Sequence, residues 1–216
     1  MNKIHQANTW IFNQSVKCAT KNELPFEFTK EELMSLTDRP CVYCGEEPIN
    51  FKRSLIDRVI PEVGYTKKNT VPACANCVRA KGTCNARTFI ARCRHVSNVN
   101  GGPGGYTDNW SNIKFKTFEQ YKMENIHKNF KLSSEDYYAL RNGNCAYCHR
   151  ETTSLHMNGI DRINSNVGYV KENCTTCCHD CNMLKLISSP EEFIAHTVKV
   201  AQHLQPIIQS HGARNQ

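Results

Sequence analysis

The chain has 216 residues, with 27 Lys and Arg against 20 Asp and Glu, a formal charge of +7, and 13 cysteines. That length suits one or two domains. No apolar run reaches membrane-spanning length, and Met1–Ser15 lacks the charged and apolar regions of a secretory signal. The expected setting is therefore intracellular, in the cytoplasm or nucleoid of a host cell, with thiolates on metal rather than disulfides.

Residues 1–25 carry scattered apolar positions (Trp10, Ile11, Phe12, Val16, Leu24) and read as a helical extension. A first module is expected over residues 26–96. It opens on Thr29-x-x-Glu32, a capping-box signature ahead of Leu33, Met34 and Leu36. Cys41-x2-Cys44 follows, then Ile56-Asp57-Arg58 and a tight turn at Gly64, which suit a small hairpin. Cys74-x2-Cys77 comes next and should lead into a helix. Gly101-Gly102-Pro103-Gly104-Gly105 marks a linker over 97–112, where a hinge is expected. A second module, over 113–208, repeats the plan from Ser133-x-x-Asp136 onward and ends in a well-signalled helix: Ser189 as N-cap, Pro190 first, Glu192 closing the box. In that helix Phe193, Ile194, Thr197, Val198, Ala201 and Leu204 form an apolar core stripe. Residues 209–216 read as a frayed tail.

The two modules are an internal duplication with a shift of 104 residues. It carries Cys41, Cys44, Cys74 and Cys77 onto Cys145, Cys148, Cys178 and Cys181, Ile56-Asp57-Arg58 onto Ile160-Asp161-Arg162, Asn69 onto Asn173 and Lys81 onto Lys185. In each copy 29 residues separate the two C-x2-C pairs, the layout of a tetrahedral four-cysteine zinc site. Two structural Zn2+ ions are therefore expected. Cys174-x2-Cys177 is a competing pair, and the repeat register selects Cys178 and Cys181 instead. Cys18, Cys84 and Cys93 have no repeat partners and read as buried thiols. Eight thiolates and two Zn2+ would add −8 + 4 = −4 to the +7, leaving about +3, so global charge says little about partners. Its distribution says more: residues 1–105 hold 15 Lys and Arg against 9 Asp and Glu, and the rest 12 against 11. Arg58, Arg79, Lys81, Arg87 and, in the second copy, Lys185 are the candidate nucleic-acid contacts.

Cys-x-Tyr-Cys, Ile-Asp-Arg, Gly-Tyr, Asn and Cys-x2-Cys-Asn-x2-Lys together resemble the zinc-bearing HNH (ββα-metal, His-Me finger) endonucleases, including recombination endonuclease VII-like proteins. The resemblance covers about residues 26–93 and 130–197 and implies a small zinc-stabilised α+β fold with two tandem ββα-metal modules. It further implies a DNA endonuclease of the kind encoded by phages and large viruses, with one catalytic Mg2+ or Mn2+. Asp161 and Asn182 would hold that ion, Asn173 would orient the hairpin, and Asp57 and Asn69 are the counterparts in the first copy.

Two departures from the family pattern bear on activity. The histidine that follows the hairpin aspartate in the family is Arg58 in one copy and Arg162 in the other, and arginine cannot serve as a general base. Loss of such a base costs a factor of roughly 10²–10⁴ in rate. His179 and His156 are the candidate substitutes, and Arg162 a candidate phosphate clamp. The first copy has Val78 where the second has Asn182, so cleavage is assigned to the second module and binding to the first. The rival expectation is a catalytically silent zinc-stapled protein that binds nucleic acid or serves in a nucleoprotein assembly. A RING- or LIM-type protein-binding module is a third, weaker fit, because each site here closes inside its own repeat.

Overall fold

The computed structural model describes residues 3–49 and 53–212, and side chains over 9–49 and 53–204. The fold is a small α+β one, with two two-stranded antiparallel sheets among the described residues. It divides into two compact units, residues 1–91 with 199–216, and residues 92–198. The division falls inside two helices, α4 (Ala86–Val99) and α8 (Pro190–Gly212), and outside the glycine run.

In the first unit α1 (Lys3–Lys21) precedes α2 (Lys30–Thr37). The Thr29 hydroxyl accepts from the Glu32 amide and the Glu32 carboxylate accepts from Thr29 N–H, a reciprocal cap that fixes where α2 starts. Strand β1 (Leu55–Arg58) pairs with β2 (Thr70–Ala73), setting Asp57 opposite Val71, and α3 (Ala75–Lys81) follows directly. Ile11, Leu33, Met34, Ile56 and Tyr65 make the core, with Phe12, Phe26 and Phe28 against it. Burying a side chain such as Leu33, which is 0 % exposed, contributes about 1.5–3 kcal/mol.

The second unit repeats this frame. After α5 (Phe118–Asn125) and α6 (Ser134–Asn142), β3 (Gly159–Arg162) pairs with β4 (Cys174–Cys177), setting Asp161 opposite Thr175, and α7 (His179–Lys185) leads towards α8. Its core is Leu132, Tyr137, Ile160, Tyr169 and Cys174, closed by Phe118, Tyr121 and Phe130. Ser189 and Glu192 cap α8 reciprocally. That helix runs on to Gly212, so part of the expected tail is helical, and residues 213–216 lie outside the described residues.

The glycine run folds back on the end of α4: Ser97 Oγ donates to Pro103 O at 2.6 Å, and Arg94 Nη2 to Gly104 O at 3.1 Å. A Cβ on Gly102 would meet Ser97 Oγ at 2.6 Å, and one on Gly104 would run into the Arg94 carbonyl. These glycines permit close backbone approach, a use that composition alone does not separate from flexibility.

Beyond the run, residues 106–113 cross the unit as an extended strap. Arg92 Nε donates to Asn109 O, Ser111 N to Asp180 Oδ2 at 2.6 Å, and Met157 N to Ile113 O at 2.9 Å.

Candidate functional site

Each unit gathers its four expected cysteines. In both clusters all four Sγ atoms lie within 4.8 Å of one another and all four residues are buried. A tetrahedral Zn–S distance of about 2.3 Å requires sulfurs roughly 3.8 Å apart. Cys44 and Cys74 are 3.7 Å apart, Cys148 and Cys178 3.6 Å, and none of the thirteen cysteines is in a disulfide. The backbone is already shaped for the metal. Gly45 N donates to Cys41 O and His149 N to Cys145 O, and the N–H groups of Cys77 and Cys181 point at the sulfurs of Cys74 and Cys178. Hydrogen bonds from Cys44, Cys74 and Cys77 pull the Cys41 thiol far below its ordinary pKa, and those from Cys148, Cys177, Cys178 and Cys181 do the same for Cys145. These are two four-cysteine sites with the geometry of structural zinc centres.

The competing pair does not join them. Cys174 packs in the hydrophobic core, where burial pushes its thiol up to about 12, and burial likewise raises Cys177, whose Sγ donates to Cys178 O. Both remain protonated thiols at neutral pH.

Next to each zinc site lies the hairpin aspartate, and its surroundings differ from the expectation. Asp161 is 3 % exposed; Tyr147 Oη donates to its Oδ2 at 2.7 Å, and Lys185 Nζ, from a residue 1 % exposed, sits 3.1 Å from Oδ2 and 3.4 Å from Oδ1. The first unit repeats the arrangement, with Tyr43 Oη at 2.5 Å from Asp57 Oδ2 and Lys81 Nζ at 3.2 Å from Oδ1. Burial, then the neighbouring aspartate, pushes both tyrosine hydroxyls well above their ordinary range, so they stay donors. Each aspartate therefore sits in a closed Tyr–Asp–Lys cluster whose positive charge comes from the protein.

This corrects several expectations. Lys81 and Lys185 are internal ion-pair partners, because their helix position, four residues after Cys77 and Cys181, puts them on the buried face. They are unavailable to nucleic acid. A divalent ion on Asp161 does not fit either: the ammonium of Lys185 already takes the place of a cation, and Asn182, the expected second ligand, is exposed on α7. Arg162 donates to Ser165 O at 2.7 Å and Val167 O at 3.2 Å, with its guanidinium over Tyr169, so it braces the hairpin loop. Arg58 does likewise, donating to Pro61 O over Tyr65. His156 is buried between Ile113 N–H, which its Nδ1 accepts, and Asn158 Oδ1, to which Nε2–H donates. It cannot serve as a base in that state. His179 is exposed at the start of α7.

Asn173 accepts from Asn164 N–H and donates from Nδ2 to Asn164, Val167 and Gly168 carbonyls, bracketing the loop between β3 and β4. Asn69 does the same around Ile60 and Gly64. Arg79 and Arg87 are exposed, Arg79 touching Ala75 O and Asn76. Sequence reasoning missed the tyrosines and the Asp180–Arg92 pair, 2.9 Å, which anchors the strap. The tyrosines carried a signal, since both stand at the same place inside a repeated Cys-x-Tyr-Cys. Asp180 carried none, because its counterpart is Asn76.

No family model matches the chain. It is 33 % identical over 173 residues to an uncharacterized protein, R423, of Acanthamoeba polyphaga mimivirus, an alignment covering 77 % of this chain. The chain spans about a third of that relative's length, 32 %. Among solved structures it is similar to the rare-cutting HNH restriction endonuclease PacI, at 22 % identity and a TM-score of 0.33, over 38 % of this chain and 70 % of that one. Among the described residues, no helix is long and apolar enough to cross a membrane.

Proposed function

We propose that the chain is a zinc-stabilised nucleic-acid-binding protein, built from two ββα modules, in which the acidic residue of each hairpin supports the fold instead of holding a catalytic metal. One observation carries this reading: both Asp57 and Asp161 are buried and ion-paired to Lys81 and Lys185 within their own module. An intact nuclease site of the one-metal type needs that carboxylate free to meet a divalent ion and water. DNA is the first expected partner. The resemblance to HNH proteins supports it, as do the positive excess in residues 1–105 and the exposed Arg79 and Arg87. Similarity to a mimivirus protein supports a viral or virus-derived origin.

The nuclease reading rests on the ββα order and on the exposed Asn182 and His179 at the start of α7. It requires Lys185 to leave Asp161. Incubating zinc-loaded protein with DNA and RNA in Mg2+, Mn2+ or Ni2+ separates the two readings. Salt-dependent binding without cleavage is expected. Divalent-dependent cleavage that disappears in Asp161→Ala would overturn the proposal.

A further inference from the structure

In the second unit the strap, the end of α4 and the second zinc knuckle line an open, solvent-facing pocket of about 410 Å³. Its distinctive lining is Tyr106, Trp110, His95, His149 and Arg150. None of the lining residues is a carboxylate.

Trp110 is held rigidly. Its Nε1–H donates to Thr107 O at 2.9 Å, the His95 ring meets it edge-on at 5.1 Å, and the guanidinium of Arg92 lies over its ring at 5.6 Å. Arg92 is fixed in turn by Asp180 and by Asn109 O. His95 is locked as well: its Nδ1 accepts Thr107 N–H, leaving Nε2–H to donate to Cys148 O on the knuckle. Tyr106 is different, edge-on to His95 at 5.5 Å yet 81 % exposed. Arg150 is tethered through Ser111 O and Asn112 Oδ1, which holds its guanidinium at the strap. His149 is exposed, on a backbone turned to φ +60°.

Two aromatic surfaces, one of them pre-positioned, beside an arginine and a histidine suit a flat, uncharged ring carrying a negative group. A cationic ligand also likes aromatic faces, but it would meet Arg150 with no carboxylate to offset it. We propose that this pocket is a subsite for one unstacked base of a single-stranded nucleic acid. Tyr106 and Trp110 contact the base, and Arg150 with His149 faces its phosphate. Aromatic side chains reach base faces only where the strand is splayed, so the subsite favours single strands over duplex. It rests on the reading of the chain as a nucleic-acid binder, and it specifies the form of nucleic acid and the place.

The chain has two tryptophans, and Trp10 is 58 % exposed, so Trp10→Phe leaves Trp110 as a lone reporter. The zinc-loaded protein would be titrated with oligothymidylate, with an abasic strand of equal phosphate number, and with duplex DNA, following Trp110 fluorescence and ligand anisotropy. Expected are quenching of Trp110 by oligothymidylate alone and a loss of oligothymidylate affinity of about tenfold or more in Tyr106→Ala. Abasic and duplex binding should not change, and Tyr106→Phe should behave as wild type. Because Tyr106 is so exposed, Tyr106→Ala should unfold at the wild-type temperature, which separates lost stacking from lost fold. Binding of oligothymidylate that is indifferent to Tyr106→Ala would overturn the subsite and leave the nucleic-acid reading standing. No binding to any of the three strands would overturn both.

Discussion

The two modules agree in their zinc-and-hairpin frame and differ in what is built around it. Both hold four cysteines, a Tyr–Asp–Lys cluster, an asparagine bracket and an arginine over a tyrosine ring. Around the second zinc site the unit adds a strap tied to Asp180, Arg150 and His156. At the same places the first copy has Asn76 and Glu46, and an apolar groove between Trp10, Ile11, Pro48 and Leu55. What both copies keep is a support frame, and the aspartate belongs to it. What they do not share lies around that frame: the buried Asp180 and His156 that hold the strap, and the Asn182 and Val78 difference.

Removing metal tests the shared frame with the largest effect. Elemental analysis should give two zincs per chain, and Cys44→Ser or Cys148→Ser should unfold chiefly its own module. Structural zinc binding is worth roughly 10 kcal/mol or more near neutral pH, so amide exchange should collapse on one side only. Equal collapse of both modules by either variant would break the two-frame picture.

The buried ion pairs come next. Lys185→Ala leaves a buried carboxylate without its partner and should cost module 2 about 3–5 kcal/mol, with Lys81→Ala doing the same in module 1. The double variant Asp161→Leu, Lys185→Met should recover much of that loss in denaturant titrations. A Lys185→Ala protein as stable as wild type would mean that the pair is dispensable.

A pH difference sharpens the contrast. Burial holds the His156 ring below its ordinary pKa of 6.5. Between that lowered value and about 6.5 the unfolded chain takes up a proton that the folded chain refuses, so module 2 loses stability as pH falls through this window. His156→Gln should flatten the slope, measured with zinc in excess. The first copy has no histidine between His5 and His95 and should lack this slope.

The smallest effect concerns one backbone position. Gly82 and Leu186 follow α3 and α7 at the same place, both with φ +55°. With ψ of −126° and −120° both lie outside the left-handed helical region, in a conformation that costs a residue with a side chain on the order of 1–3 kcal/mol, so Leu186→Gly should stabilise module 2 and Gly82→Ala should destabilise module 1. Thermal melts read both.

Much of the fold was legible because its signals are local or repeated. Cysteine spacing gave the metal sites, the Thr29–Glu32 and Ser189–Glu192 pairs gave two helix starts, and the Gly64 turn gave a hairpin. The candidate site was harder. Asp161 meets Tyr147 and Lys185 across 14 and 24 residues, and a charged lysine in a basic stretch looks like surface. The clue was available in its position four residues after a ligand cysteine, on the face that must be buried. The strap was illegible for another reason: its contacts depend on Asp180 and Arg150, which the duplication does not repeat.

The most direct measurement is Mn2+ binding by zinc-loaded wild-type protein and by Asp161→Asn, followed by electron paramagnetic resonance. With Lys185 already on that carboxylate, the two proteins should bind Mn2+ equally and weakly, and Lys185→Met should gain an ion that depends on Asp161. A specific Mn2+ site in the wild type that vanishes in Asp161→Asn would contradict the structural role of the hairpin aspartate.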